Sequence, residues 1–221
     1  MRRTGRGSSW GTGSDRDDTV TDILMSDRLV LRPASSPAQV ACFARGFGWP
    51  MVDEIPRDRD EGVDGLTAWE APAPLGSFFH CEDADFGIPY VAVSGTDRAA
   101  VDTVVAEARR VLDPWTLPEL YAGADGAAEP RNAAETTVLI GLAAPNDFTP
   151  EVYDRISAAM RGGDENVRWA AVWATTYTGY DAFIPGLRRA AESDPVEWVR
   201  ARALSVLGVF EDFRGEPPYT T

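Results

Sequence analysis

Val167-Arg168-Trp169-Ala170-Ala171-Val172 returns 32 positions later as Val199-Arg200-Ala201-Arg202-Ala203-Leu204. Upstream of these two stretches, Val152, Ile156 and Met160 answer Ile184, Leu187 and Ala191 at nearly the same shift. A recurrence near this length, with apolar residues three and four apart inside each unit, marks stacked helix pairs. Three units are expected. The first pairs a helix over 134–143 with one over 150–160, and the second pairs 167–178 with 185–192. The third supplies a helix over 195–210, whose Val199, Ala203, Val206, Leu207 and Phe210 form one apolar stripe. Pro185 suits the first turn of its helix, where a missing N–H costs nothing.

The stretch Asp194-Pro195-Val196-Glu197-Trp198-Val199-Arg200-Ala201-Arg202-Ala203 resembles the HEAT-repeat family, in which an Asp-Pro turn leads into a Val-Arg and Ala helix. Gly162-Gly163-Asp164-Glu165-Asn166-Val167-Arg168 keeps the Val-Arg and has Gly where the leading Asp would stand. The first unit departs further and rests on Leu139-Ile140-Gly141-Leu142-Ala143-Ala144-Pro145. The resemblance covers residues 133–212. It implies an α-solenoid fragment of about two and a half helical hairpins and, commonly, a protein-binding role. It implies no catalytic residue.

Residues 25–121 read as a small mixed α/β part, so the chain as a whole is expected to be α+β. Ser36-Pro37 opens a short helix with Val40, Phe43 and Phe47 on one face. Strands are expected over 51–55, 66–70, 75–81 and 90–93. The last two form a hairpin around the acidic, glycine-containing turn Glu82-Asp83-Ala84-Asp85-Phe86-Gly87. Asp97 precedes the clearest helix, where Val101, Val104, Val105, Ala108, Val111 and Leu112 share a face that covers the sheet. Asp113-Pro114 ends it. Residues 122–132 are Ala, Gly and charge, the composition of a linker. Residues 1–24 and 213–221 read as tails, the first too polar to order itself. Met25, just before the folded pattern, is a candidate alternative start.

Composition closes several routes. The net charge is −14, with 21 basic against 35 acidic residues. Residues 31–132 hold −9 of it. Such a field disfavours a phosphate backbone and favours a basic protein partner. Every basic residue is Arg, which excludes a P-loop lysine, a kinase-type lysine and a Schiff-base lysine. His80 stands alone, so no site can use two His ligands. Cys42 and Cys81 read as buried free thiols of a cytoplasmic protein. No apolar run reaches the roughly 18 residues of a membrane span.

Trp169, Trp173 and Tyr177 recur every four residues, with Trp198 and Tyr180 as extensions. Such a row is either an aromatic platform for a partner or packing against the sheet. Arg168 and Arg200 hold equivalent repeat positions. They either meet an acidic partner or brace the stack through their guanidinium forks. His80 and Cys81 point to opposite faces of a strand, which argues against a Cys–His nucleophile. The acidic stretches 58–64 and 83–87 place Gly one position too early for an EF-hand loop. No catalytic residue, cofactor or metal is expected. The first functional expectation is a non-enzymatic protein-binding module, in one version an adaptor or an immunity- or antitoxin-like mask for a basic partner. The alternative is a small enzyme or ligand-binding protein with a site near His80, between the sheet and the repeats.

Overall fold

A computed structural model describes residues 22–215. The described chain is mixed α+β, a six-stranded antiparallel sheet followed by a run of helices. The strands are β1 (Leu24–Met25), β2 (Leu29–Val30), β3 (Met51–Ile55), β4 (Gly65–Glu70), β5 (Leu75–Glu82) and β6 (Pro89–Gly95). The spatial order is β1-β6-β5-β4-β3, and β2 also pairs with β6. β1 and β2 are therefore two pieces of one edge strand. Ser26 bridges the interruption: its N–H donates to the Val93 carbonyl at 2.8 Å, and its hydroxyl accepts from the Val93 N–H at 3.0 Å. This device keeps Val93 paired across a bulge.

Two helices cover one face of the sheet. In α1 (Pro37–Gly46), Ser36 and Gln39 form a capping box, as Ser36-Pro37 predicts for the start. Asp97 caps α2 (Arg98–Leu112) by accepting from the Ala100 N–H. Phe43, Trp49, Trp69, Phe78, Val91, Val93, Val101 and Val104 share the core between these helices and the sheet. Phe47 leaves the expected face of α1: it is the C-cap residue, exposed and stacked on Trp49 at 4.5 Å.

The remaining helices are α3 (Leu117–Asp125), α4 (Pro130–Leu142), α5 (Pro150–Met160), α6 (Glu165–Thr178), α7 (Ile184–Ser193) and α8 (Glu197–Gly215). They enclose a second core around Ile140, Val152, Ile156, Phe183, Leu187, Val199 and Ala203. α4, α6 and α8 lie side by side, while α3 backs α4, α5 backs α6 and α7 backs α8. The consecutive helices that pack most closely are thus one helix out of step with the expected units, because each preceding helix folds onto the one after it. The expected linker is mostly helix. Its first part ends α3, which Thr116 and Glu119 start with a capping box, and Pro130 opens α4. Of the tail expected over 1–24, residues 1–21 lie outside the described residues, and Leu24 already pairs with Gly95. Of the tail expected over 213–221, residues 213–215 continue the α8 backbone and the rest lie outside the described residues.

The edge segment 25–32 is the seam between the two cores. Asn146 donates to the Met25 carbonyl and to the Asp27 carboxylate. Arg28 donates to the Tyr177 carbonyl at 2.6 Å, across 149 positions of sequence. Arg32 pairs with Asp113 and Glu119 and lies 4.2 Å over the Trp115 ring. The Asn146, Tyr177 and Glu119 contacts tie the sheet layer to the helices, and Asp113 ties the segment to the end of α2.

Candidate functional site

The aromatic row of α6 faces inward, toward the β5–β6 hairpin. The tip of that hairpin carries Phe86, whose ring meets Trp169 at 6.1 Å and Trp173 at 5.6 Å, both edge to face. The Tyr177 hydroxyl donates to Asp83 Oδ2 at 2.7 Å and accepts from Trp173 Nε1 at 3.0 Å. Burial and the Asp83 carboxylate together hold the Tyr177 phenol far above its ordinary range. Asp83 itself is buried, and its other oxygen accepts from the Phe86 N–H, which shapes the turn. The acidic hairpin is accordingly a structural clamp on α6. Arg202 of α8 closes the row from the other side, 3.9 Å over the Trp173 ring. Burial lowers its pKa against the pull of Asp85. Of the row and its extensions, Trp198 alone is exposed, at 41 %, with its ring 6.2 Å from Trp169.

Arg168 and Arg200 are both engaged inside the helix stack. Arg168 makes two hydrogen bonds to Asp194, at 2.8 and 3.1 Å, and donates to the Gly162 and Gly163 carbonyls. Both ends of that pair are buried. Arg200 donates to the Asp194 carbonyl at 2.7 Å. The shared Val-Arg of the two repeats thus converges on one Asp, which joins the start of α6 to the start of α8. The Arg168 fork is taken up by these bonds, whereas Arg200 is half-buried and makes one bond.

The sheet, the seam and the helix stack leave a groove of about 890 Å³ between them. From the sheet side it is lined by His80 of β5 and by the 86–89 turn. Leu31, Pro33 and Pro37 contribute from the seam, and Trp115, Val138, Leu139 and Trp169 from the helical side. The charged rim holds Glu82, Arg131 and Glu135, and Arg131 donates to Glu135 at 2.9 Å. His80 is 7 % exposed, and its ring nitrogens have no hydrogen-bond partner among the described residues. Burial pushes its pKa down, opposed by Glu82, so the ring is neutral at pH 7. A neutral imidazole offers one donor and one acceptor.

Cys81 lies on the opposite sheet face, as strand alternation requires. It is paired in register with Tyr90, and burial raises its thiol pKa, the reverse of what a nucleophile needs. Both thiols are free, but neither is buried as expected: Cys42 is exposed on α1 and Cys81 is half-buried. Among the described residues, no group of three or more His, Cys, Asp or Glu converges on a metal position. Asp58 uses one carboxylate oxygen to accept from the Asp60 and Glu61 N–H groups, a local turn. No helix of the described residues is long and apolar enough to cross a membrane.

His80, Trp169 and the 82–87 turn were legible in the sequence, but the other walls were not. Trp115 had one available signal, a large aromatic directly after the Asp113-Pro114 stop. Leu31 and the Pro33 and Pro37 pair gave none, because their role depends on which helix packs across from them. No family model, curated protein or solved structure matches the chain.

Proposed function

We propose that this chain is a non-enzymatic binding protein whose site is the groove around His80, and that its ligand is a small, largely apolar molecule carrying one hydrogen-bonding group. The observation that carries this reading is the His80 imidazole, bonded to no protein group and open to a groove lined largely by Trp, Phe, Leu, Ile, Val and Pro. A ligand group that meets the imidazole gains a hydrogen bond worth about 0.5–1.5 kcal/mol net. The volume falls in the ordinary range of ligand pockets, about 300–1,000 Å³.

The test uses N-phenyl-1-naphthylamine, a neutral apolar probe that brightens out of water. Saturable binding with energy transfer from tryptophan is expected for the intact chain. Ala134→Trp, which fills the groove from half-buried α4, is expected to weaken it about tenfold or more while leaving the far-ultraviolet dichroism unchanged. Equal binding by that variant sinks the reading.

A second reading, docking of another protein on the helix layers, is favoured by the open side of α8. Leu204 is 66 % exposed and Val209 42 %, and Trp198 adds an exposed ring. We read the layers as HEAT-like repeats: the two Val-Arg helices lying side by side, each backed by the helix before it, support that. The strong negative charge favours a basic partner, as an adaptor or an immunity- or antitoxin-like protein would have. A specific partner is expected to co-purify with the native chain at moderate salt and to be lost with Trp198→Ala plus Leu204→Glu. Retention by the double variant counts against this surface.

A further inference from the structure

A second concavity lies at the far side of the helix stack, between the end of α5, the Gly162-Gly163 turn and the first turns of α7, with a volume of about 430 Å³. Its lining holds three guanidinium groups, from Arg161, Arg168 and Arg189, against one carboxylate, from Asp194. Arg168 and Asp194 neutralise each other in their buried pair. Arg161 and Arg189 have no ion-pair partner among the described residues and are exposed. Two free positive charges in one hollow stand out on a chain of net charge −14. Arg161 is the C-cap residue of α5, where a cation offsets the negative helix end. Arg189 lies inside α7 and has no such local role.

A third group points to what the hollow takes. Ser157 lines it, is only 8 % exposed, and its hydroxyl has no hydrogen-bond partner among the described residues. A hydroxyl open to the hollow and two unpaired guanidinium groups lining it are a donor set for a multi-oxygen anion. Arginine forks match phosphate geometry, and their bonds to it are charge-assisted. Tyr153 and Phe183, whose rings meet at 5.1 Å, give the same hollow an apolar wall.

We propose that this hollow binds the phosphate group of a small phosphomonoester, with Arg161 and Arg189 on the oxygens, Ser157 donating a hydrogen bond, and the organic part against Tyr153 and Phe183. The site is independent of the groove around His80, and neither reading needs the other. It is read by calorimetric titration of the full chain, at constant ionic strength set with chloride, with phenyl phosphate, inorganic phosphate and acetate as separate ligands. Phenyl phosphate is expected to bind saturably. Arg161→Gln plus Arg189→Gln is expected to weaken it at least about tenfold. Ser157→Ala is expected to weaken it about fivefold. Arg109→Gln, an exposed change on α2, is expected to leave it unaltered and thereby separate the site from overall charge. Tighter binding of phenyl phosphate than of inorganic phosphate assigns the ester, and equal binding assigns the free ion as the source of the same group. The proposal is overturned if the intact chain gives no heat beyond dilution, if acetate binds as tightly, or if the double variant binds like the parent.

Discussion

Asp194→Ala is expected to destabilise the protein by about 3–5 kcal/mol, read as a lower urea midpoint with an unchanged slope. The size follows from what the change leaves behind. Arg168 keeps its charge, is 8 % exposed, and retains only the Gly162 and Gly163 carbonyls as acceptors. The Val196 N–H also loses the acceptor that starts α8. Replacing the pair together, by Arg168→Met with Asp194→Leu, is expected to recover at least half of the loss, because the uncompensated charge goes with it. A loss below about 1 kcal/mol for the single change refutes this account of the pair.

The same pair gives stability a direction in pH. Burial alone raises the Asp194 pKa, but the Arg168 hydrogen bonds, the Val196 N–H and the nearby guanidinium charges outweigh it, and the net shift is downward from 3.8. A carboxylate held below its unfolded value contributes stability that is complete above that value, near pH 4. It is lost as the pH falls through the lower folded value. Asp194→Ala is therefore expected to flatten the acid limb of the stability curve below about pH 4.

Gly141→Ala is the second large effect, expected at about 2 kcal/mol in the destabilising direction. Gly141 sits where α4 crosses α6. A Cβ there would lie 2.6 Å from the Ala174 carbonyl oxygen, 2.7 Å from its Cβ and 2.8 Å from its Cα. These neighbours are mostly backbone and cannot rotate away. Overpacking of this kind costs about 1–3 kcal/mol, and separating the helices also loosens Ile140 against the shared core. Helix propensity pulls the other way by about 1 kcal/mol, so the direction of the result tells which term wins. Gly208→Ala in α8 isolates the propensity term, since nothing lies within 4 Å of its added methyl. It is expected to stabilise by about 0.5–1 kcal/mol. A stabilised Gly141→Ala would mean that the two helices are not in backbone contact.

The helices of the second half were legible because their signals are local. Pro150 and Pro185 mark starts, and the Val-Arg recurrence at a shift of 32 aligns with the starts of α6 and α8. The four longer strands were legible from alternation and from the turn at 83–88. What escaped was set by contacts across long separations. β1 and β2 are two residues each, too short to show a period, and exist because β6 offers them a ladder. The α3 helix carried a Thr-x-x-Glu signal at Thr116 and Glu119, yet its Ala and Gly content reads as loop. The offset in helix pairing was out of reach, because the same apolar stripe can meet the helix before it or the helix after it. For the groove, His80 could be singled out by its rarity, but its missing partner is a property of the whole surroundings.

The seam at residues 25–32 has a consequence for how the chain is made. During synthesis this strand emerges before its ladder partner at 89–95 and before its anchors, Asn146 and the Tyr177 carbonyl. The sheet cannot be fastened to the helices until most of the protein has left the ribosome. Leu29 and Leu31 find their cover in the core shared with α1 and α2, and the closure onto Asn146 and the Tyr177 carbonyl is the long-range step that follows.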